Sequence, residues 1–106
     1  MSVPAHPPIP PQDMIARAAE AAALLKALSH EGRLMILCHL SGGERTVGEL
    51  EQLLGQRQAT VSQQLARLRA DRLVACRRDG KARLYSVADP KAAEVIATVY
   101  RLFCAE

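Results

Sequence analysis

Residues 57–72, RQATVSQQLARLRADR, predict the helix on which the rest of the fold depends. Val61, Leu65 and Leu68 recur at i, i+4 and i+7, the spacing of one buried helix face. Small side chains on the opposite face allow a close approach to a surface, and its polar groups hydrogen-bond to bases and phosphates. That opposite face carries Ala59, Thr60, Ser62, Gln63, Ala66, Arg67 and Ala70. A solvated helix has the same periodicity, so the neighbouring segments decide between the two interpretations.

The segment before this helix predicts a second, shorter helix joined to it by a tight turn. Thr46 and Glu49 have the spacing of a capping box, in which each side chain binds the other residue's backbone amide. The helix then extends to Leu54 and ends at Gly55. Two helices joined in this way form a helix-turn-helix, whose second helix enters the major groove of DNA.

The N-terminal part divides into a tail and two further helices. Residues 1–12 hold five of the six prolines, which predicts a disordered or extended tail before a domain over 13–106. Asp13 is the predicted cap of a first helix to about Leu28, and Ser29 is the predicted cap of a second helix ending near Leu40. One face of the first helix is predicted to carry Met14, Ala18, Ala21, Leu25 and Leu28, and the many alanines of this helix allow close packing against another helix.

A basic hairpin is predicted after the recognition helix. Strands at 73–78 and 82–87 flank Asp79-Gly80-Lys81, and Asp-Gly is a strong hairpin signal. Residues 57–83 include eight basic and two acidic side chains, a local net charge of +6, whereas the remaining chain carries −3. This concentration indicates a surface that faces phosphates, although a solvated basic face remains the alternative.

The last predicted helix is apolar on more than one side. Asp89 caps it, Pro90 takes its first position, and it extends to about Cys104. Its polar strip is narrow, so two partners are implied: the chain's own core and a second subunit. The predicted fold class is mainly α with a small β-hairpin, a dimeric winged helix-turn-helix of order α1-α2-α3-α4-β1-β2-α5.

Several function classes lose support from the sequence. No segment is long and apolar enough to span a membrane, and the N-terminus lacks the regions of a signal peptide, so a cytoplasmic location is expected. Three cysteines, an odd number, argue against a secreted disulfide framework. The chain has no Cys-x-x-Cys pair and no glycine-rich phosphate loop. We therefore predict neither an enzyme nor a cofactor.

This order of elements resembles the ArsR family of winged-helix repressors over about Asp13 to Cys104. The resemblance rests on ALLKALSHEGRLMIL (23–37), TVGELEQLL (46–54), ATVSQQLARLRADRLV (59–74) and RRDGKARLYSV (77–87). It implies a homodimer, joined through the first and last helices, that binds an inverted-repeat operator in double-stranded DNA. The residues expected in the major groove are Gln58, Thr60, Ser62, Gln63 and Arg67. Those expected at phosphates or the minor groove are Arg57, Arg78, Lys81 and Arg83.

Metal sensing, common in this family, lacks its ligands here. The family's Cys-x-Cys site on the third helix is replaced by Glu51-Gln52-Leu53, and the last helix has no histidine. His30 and His39 are interpreted as exposed or satisfied structural residues. We therefore predict no metal site.

Cys38 and Cys104 instead make the chain similar to the thiol-sensing branch typified by SqrR, BigR and HlyU. In that branch the two cysteines face one another between the second and last helices, and the resemblance implies that a disulfide or polysulfide bridge, formed by reactive sulfur species, lowers operator affinity. Without the resemblance, Cys38 is a small buried hydrophobe and Cys104 an incidental thiol. Cys76 is interpreted as a core residue of the first strand. A general oxidant sensor and a constitutive DNA-binding or architectural dimer remain as alternatives.

Overall fold

Five helices and one antiparallel hairpin make up the part of the chain that the structure, a computed structural model, describes, residues 5–104. The predicted element order, and with it the mainly α fold with a small β-hairpin, is confirmed. The elements are α1 (Pro11–Leu28), α2 (Glu31–Leu40), α3 (Val47–Leu54), α4 (Gln58–Ala70), β1 (Val74–Asp79), β2 (Ala82–Val87) and α5 (Pro90–Phe103).

The core is aliphatic and centres on α2, which packs against α1, α3, α4 and α5. The side chains that are at most 1% exposed come from four helices. They are Ile36 and Leu37 of α2, Leu50 of α3, Val61, Leu65 and Leu68 of α4, and Ala92 and Ile96 of α5. The predicted inner face of α4 is therefore confirmed. This packing fixes the rotation of α4 about its axis and turns its polar side outward.

The helix-turn-helix is held by the predicted local signals. The Glu49 amide donates to Thr46 Oγ1 at 3.1 Å, and the Thr46 amide donates to Glu49 Oε1 at 2.9 Å. Gly55 ends α3 with a φ of 64°, a left-handed conformation that glycine adopts without steric cost. The turn from α3 to α4 is therefore specified by sequence on both sides.

The N-terminal boundaries differ from the prediction. Helix α1 begins at Pro11 rather than after Asp13, which lies in its first turn and caps nothing. Proline at the first helical position has its φ already set for a helix and needs no amide partner. The predicted tail, residues 1–12, thus overlaps the helix by two residues; residues 5–10 have no regular structure, and 1–4 lie outside the described residues.

The predicted cap of α2 is wrong by one residue. His30 is the N-cap, and its Nδ1 accepts from the Arg33 amide at 3.4 Å. Ser29 instead closes α1, where its hydroxyl donates to the Lys26 carbonyl at 2.8 Å. Only two residues separate the helices, so each one terminates a different helix.

The face of α1 predicted to carry Met14, Ala18, Ala21, Leu25 and Leu28 is mostly exposed in the single chain. Of its five residues only Leu28 is buried; Met14 and Leu25 are 44% and 56% exposed, and Ala18 and Ala21 are exposed. The core instead receives Leu24 and Ala27 beside Leu28. The apolar contact of α1 with the rest of the chain therefore comes from its C-terminal part, and an apolar stripe along the helix stays exposed.

Helix α4 ends at Ala70, before the predicted Arg72, because Arg72 takes a φ of 61°. This left-handed conformation costs a residue with a Cβ about 1–2 kcal/mol.

We expect Arg72→Gly to raise the free energy of unfolding by about 0.5–1 kcal/mol in urea titrations, after the extra flexibility of glycine in the unfolded chain is deducted. Arg69→Gly, inside the helix, should instead lower it by about 1 kcal/mol. Destabilisation by both would show that no strain resides at Arg72.

Candidate nucleic-acid interface and thiol pair

The first two turns of α4 expose four of the side chains predicted to enter a DNA groove. They are Gln58, Thr60, Ser62 and Gln63, and the alanines Ala59, Ala66 and Ala70 are exposed as well. No bulky hydrophobic side chain of α4 lies on this surface, because Val61, Leu65 and Leu68 all face the core. The surface therefore combines hydrogen-bonding groups with small side chains that allow a close approach, which suits contact with base edges.

Arg67, the fifth predicted groove residue, stands apart from these four. It lies in the third turn of α4, and its Nε is 3.6 Å from Asp71 Oδ2. It also lines a cleft beside Arg17 and Glu20 of α1. An exposed ion pair of this kind contributes less than about 1 kcal/mol. A DNA phosphate could therefore compete with Asp71 for the guanidinium.

Arg57 occupies the N-cap position of α4 without capping it. Its backbone is extended, its side chain is exposed, and no side-chain oxygen accepts from the first amides of the helix. The free amides and the helix dipole place partial positive charge here, and Arg57 adds a full charge. This end of α4 therefore favours an anion such as a backbone phosphate.

The hairpin places two arginines directly opposite each other. Arg78 pairs with Arg83 in the strand register, and Lys81 lies in the two-residue loop, where Gly80 takes a φ of 63°. The ion pairs among residues 5–104 are Arg67–Asp71, Arg77–Glu44 and Lys91–Glu20, so none involves these three cations. Like charges facing across strands destabilise a hairpin unless an anion neutralises them. The wing, residues 74–87, thus presents cations suited to phosphate.

Arg77, the other arginine of β1, is bound within the protein. Its Nε and Nη2 donate to the two carboxylate oxygens of Glu44 at 2.7 and 2.8 Å. The hydrogen bonds from Arg77 hold the pKa of the Glu44 carboxyl below its usual range. Sequence reasoning missed this contact, since no local pattern relates residues 33 positions apart.

Cys38 lies on α2, which packs against α5, and Cys104 follows the last residue of α5. Cys38 is half-buried against the core, and Cys104 is exposed. Burial raises the pKa of the Cys38 thiol, and the nearby charge of Cys104 raises it further. Cys76, half-buried in β1, pairs with Tyr85 instead.

The raised pKa of Cys38 gives a testable pH dependence. A thiol whose pKa is higher in the folded than in the unfolded state carries less thiolate between those two values, and thiolate is the reactive form. We expect iodoacetamide to modify Cys38 at higher pH in the folded protein than in urea, as followed by peptide mass spectrometry. In Cys104→Ser the folded profile should move towards lower pH. Coincident folded and unfolded profiles would contradict the assigned environment.

The most exposed of the large apolar side chains described belong to two helices, α1 and α5. On α1, Ile15 and Leu25 are 73% and 56% exposed; at the end of α5, Leu102 and Phe103 are 64% and 81% exposed. Soluble proteins usually cover patches of this kind with a partner. These are the two helices predicted to form the contact between subunits.

Neither a metal cluster nor a membrane segment is found among residues 5–104. No three side chains of the His, Cys, Asp or Glu type gather there in a way that could hold a metal ion. His30 caps α2, and the carbonyl of His39 accepts from Arg45 Nε at 3.0 Å. The helices of this region are too short or too polar to cross a bilayer.

Comparisons with known proteins point to one family. A sequence profile described as "Bacterial regulatory protein, arsR family" matches residues 30–75. The chain is 50% identical to the biofilm growth-associated repressor of Agrobacterium fabrum, over 92% of this chain and 83% of that protein. The crystal structure of the transcriptional repressor BigR from Xylella fastidiosa has a TM-score of 0.83 at 49% identity, covering 89% and 93% of the two chains. Reduced HlyU from Vibrio cholerae has a TM-score of 0.82 at 40% identity, covering 88% and 98%.

Proposed function

Because the chain belongs to the ArsR family and is a DNA-binding transcriptional repressor, we propose that it acts as a cytoplasmic homodimer that releases its operator when Cys38 and Cys104 become bridged. The observation that carries this proposal is the packing of α2, which contains Cys38, against α5, which ends next to Cys104. The effect of Cys104 on the pKa of Cys38 supports it. One of the similar solved structures is that of reduced HlyU from Vibrio cholerae.

Operator reading is assigned to α4 and the wing of each subunit. In a two-fold dimer the two α4 helices enter successive major grooves, about 34–36 Å apart, and so require an inverted repeat. The polar groups of Gln58, Thr60, Ser62 and Gln63 contact the bases. Arg67 contacts them as well after its ion pair with Asp71 is broken. The cations at Arg57, Arg78, Lys81 and Arg83 serve phosphates or the minor groove.

Substitutions at Gln63 and Lys81 test this division of labour. Gln63→Ala should lower the preference for the operator over base-substituted sites by about 1–3 kcal/mol, because a base contact is lost. Lys81→Ala should weaken binding to all sequences alike and reduce the slope of log K against log salt by about 1 per subunit. Fluorescence anisotropy over a salt series measures both quantities. If the two variants weaken every sequence equally, the assignment is wrong.

The proposed switch is a sulfur exchange in which the hydropersulfide itself is the oxidant, so no separate oxidant is needed. A low-molecular-weight hydropersulfide, RSSH, transfers its outer sulfur to the exposed Cys104 thiol, which leaves RSH and a Cys104 persulfide. The Cys38 thiolate then attacks the Cys104 sulfur, and H2S departs as the Cys38–Cys104 disulfide forms. If both cysteines carry persulfides, their condensation releases H2S and leaves a trisulfide. Cys104 reacts first because it is exposed, whereas burial raises the pKa of the Cys38 thiol and so lowers the fraction present as thiolate.

Peroxide separates this function from a general oxidant sensor. A hydropersulfide and hydrogen peroxide should lower operator affinity by the same factor when the same fraction of the thiol pair is bridged. The hydropersulfide should reach that fraction at a lower concentration. Faster bridging by peroxide would favour the oxidant sensor. Full operator affinity in the bridged protein would favour a constitutive DNA-binding dimer with structural cysteines.

A further inference from the structure

The loop between α2 and α3 fastens the wing to the protein through four polar contacts. Arg77 of β1 makes its two hydrogen bonds to Glu44. The Arg45 amide donates to the Tyr85 carbonyl at 3.1 Å, and the Tyr85 amide donates to the Arg45 carbonyl at 2.8 Å. Arg45 thus pairs with β2 as a single-residue third strand. Both strands of the wing are therefore tied to adjacent residues of one loop.

The same loop is tied to the turn of α2 that carries Cys38. The Arg45 guanidinium donates through Nε to the His39 carbonyl at 3.0 Å, and this contact is partly buried. Ser41, which ends α2, donates its hydroxyl to the Cys38 carbonyl at 2.7 Å. The Arg45 side chain therefore joins the residue next to Cys38, and its backbone joins the wing.

These contacts differ in kind from those that join α2 to α4. The α2–α4 contact includes buried aliphatic side chains such as Ile36, Leu37 and Leu65, and packed apolar surfaces tolerate small sliding motions. Hydrogen bonds weaken steeply with distance and angle. A shift in the last turn of α2 must therefore either move the loop with it or break the Arg45–His39 contact.

From this geometry we propose that Glu44 and Arg45 are positioning residues that couple the thiol pair to the wing. The inference rests on the proposed function, and it assigns the main loss of operator affinity on bridging to the wing. When Cys38 is drawn towards Cys104, the loop displaces the wing and withdraws Arg78, Lys81 and Arg83 from the DNA backbone. The bases read by α4 remain the same.

The wild-type protein gives the first test, in operator titrations over a salt series. The slope of log K against log salt should be shallower in the bridged than in the reduced form, by up to about 3 counterions per subunit. The ratio of affinities for the operator and a base-substituted site should not change. Unchanged slopes together with a reduced base preference would overturn the inference and place the effect on α4.

Loop variants give the second test. The ratio of reduced to bridged operator affinity, about 5- to 150-fold for coupling of ordinary size, should fall towards one in Arg45→Ala and Glu44→Ala. Glu44 is exposed, so Glu44→Ala is expected to fold even if Arg45→Ala does not. Lys81→Ala is the comparison, and the form that changes distinguishes it. It should lower the ratio by weakening the reduced form, because the bridged wing no longer contacts DNA, whereas the loop variants should lower it by strengthening the bridged form.

The outcomes separate this inference from the function on which it rests. If bridging leaves the operator affinity of the wild type unchanged, the proposed function fails. A second outcome is that bridging lowers the operator affinity of the wild type, and that both loop variants show the same ratio of reduced to bridged affinity and the same change of salt slope. In that case only the role of Glu44 and Arg45 is overturned.

Discussion

A bridge between Cys38 and Cys104 is expected to lower operator affinity about 5- to 150-fold, the size of a coupling free energy of about 1–3 kcal/mol. The physical reason is that α2 forms the centre of the core and contacts every other helix. A covalent link from Cys38 to the end of α5 therefore displaces the element on which the helix-turn-helix and the wing both rest.

Three serine variants test this expectation. Cys38→Ser and Cys104→Ser should each bind the operator as the reduced wild type does and show no response to a hydropersulfide. Cys76→Ser is the matched control and should respond like the wild type, because Cys76 pairs with Tyr85 on the wing. Loss of the response in Cys76→Ser, or a response that persists in Cys38→Ser, would assign the effect to another thiol.

The second large effect is expected from the open apolar stripe of α1. Leu25→Glu places a carboxylate where the proposed partner subunit packs, and burying an unpaired charge there is strongly unfavourable. We expect a monomer in light scattering and an operator affinity about 10²- to 10⁴-fold lower, because two linked half-site contacts become one.

Leu53→Glu is the control for this substitution. Leu53 is also a large exposed hydrophobic residue, at 47%, but it lies on α3. This variant should remain a dimer. If Leu25→Glu also remains a dimer, the stripe on α1 is not the contact between subunits.

Local sequence signals predicted the helix-turn-helix and the hairpin well. Thr46 with Glu49, Gly55, and Asp89 with Pro90 act within one turn of the chain, and the structure shows each in the predicted role. The face of α4 was also predictable, because Val61, Leu65 and Leu68 are its only large aliphatic residues. The order of elements follows from these segments.

The remaining features depend on contacts distant in sequence. Apolar residues and alanines surround much of α1, so periodicity alone selects no face, and Leu24 rather than Leu25 joins the core. The link from Glu44 to Arg77 has no local signature, because only the fold brings the loop and β1 together. Arg67 was predictable as exposed, but its pairing with Asp71 competes with a contact to DNA.

The most direct test of the central claim measures operator affinity and intact mass on the same sample during treatment with a hydropersulfide. We predict that operator affinity falls in proportion to the fraction of protein that has lost two hydrogens, with or without added sulfur. A digest of that species should contain the Cys38 and Cys104 peptides joined to each other. Full operator affinity in fully bridged protein, or lost affinity without a bridge, would contradict the claim that this thiol pair controls DNA binding.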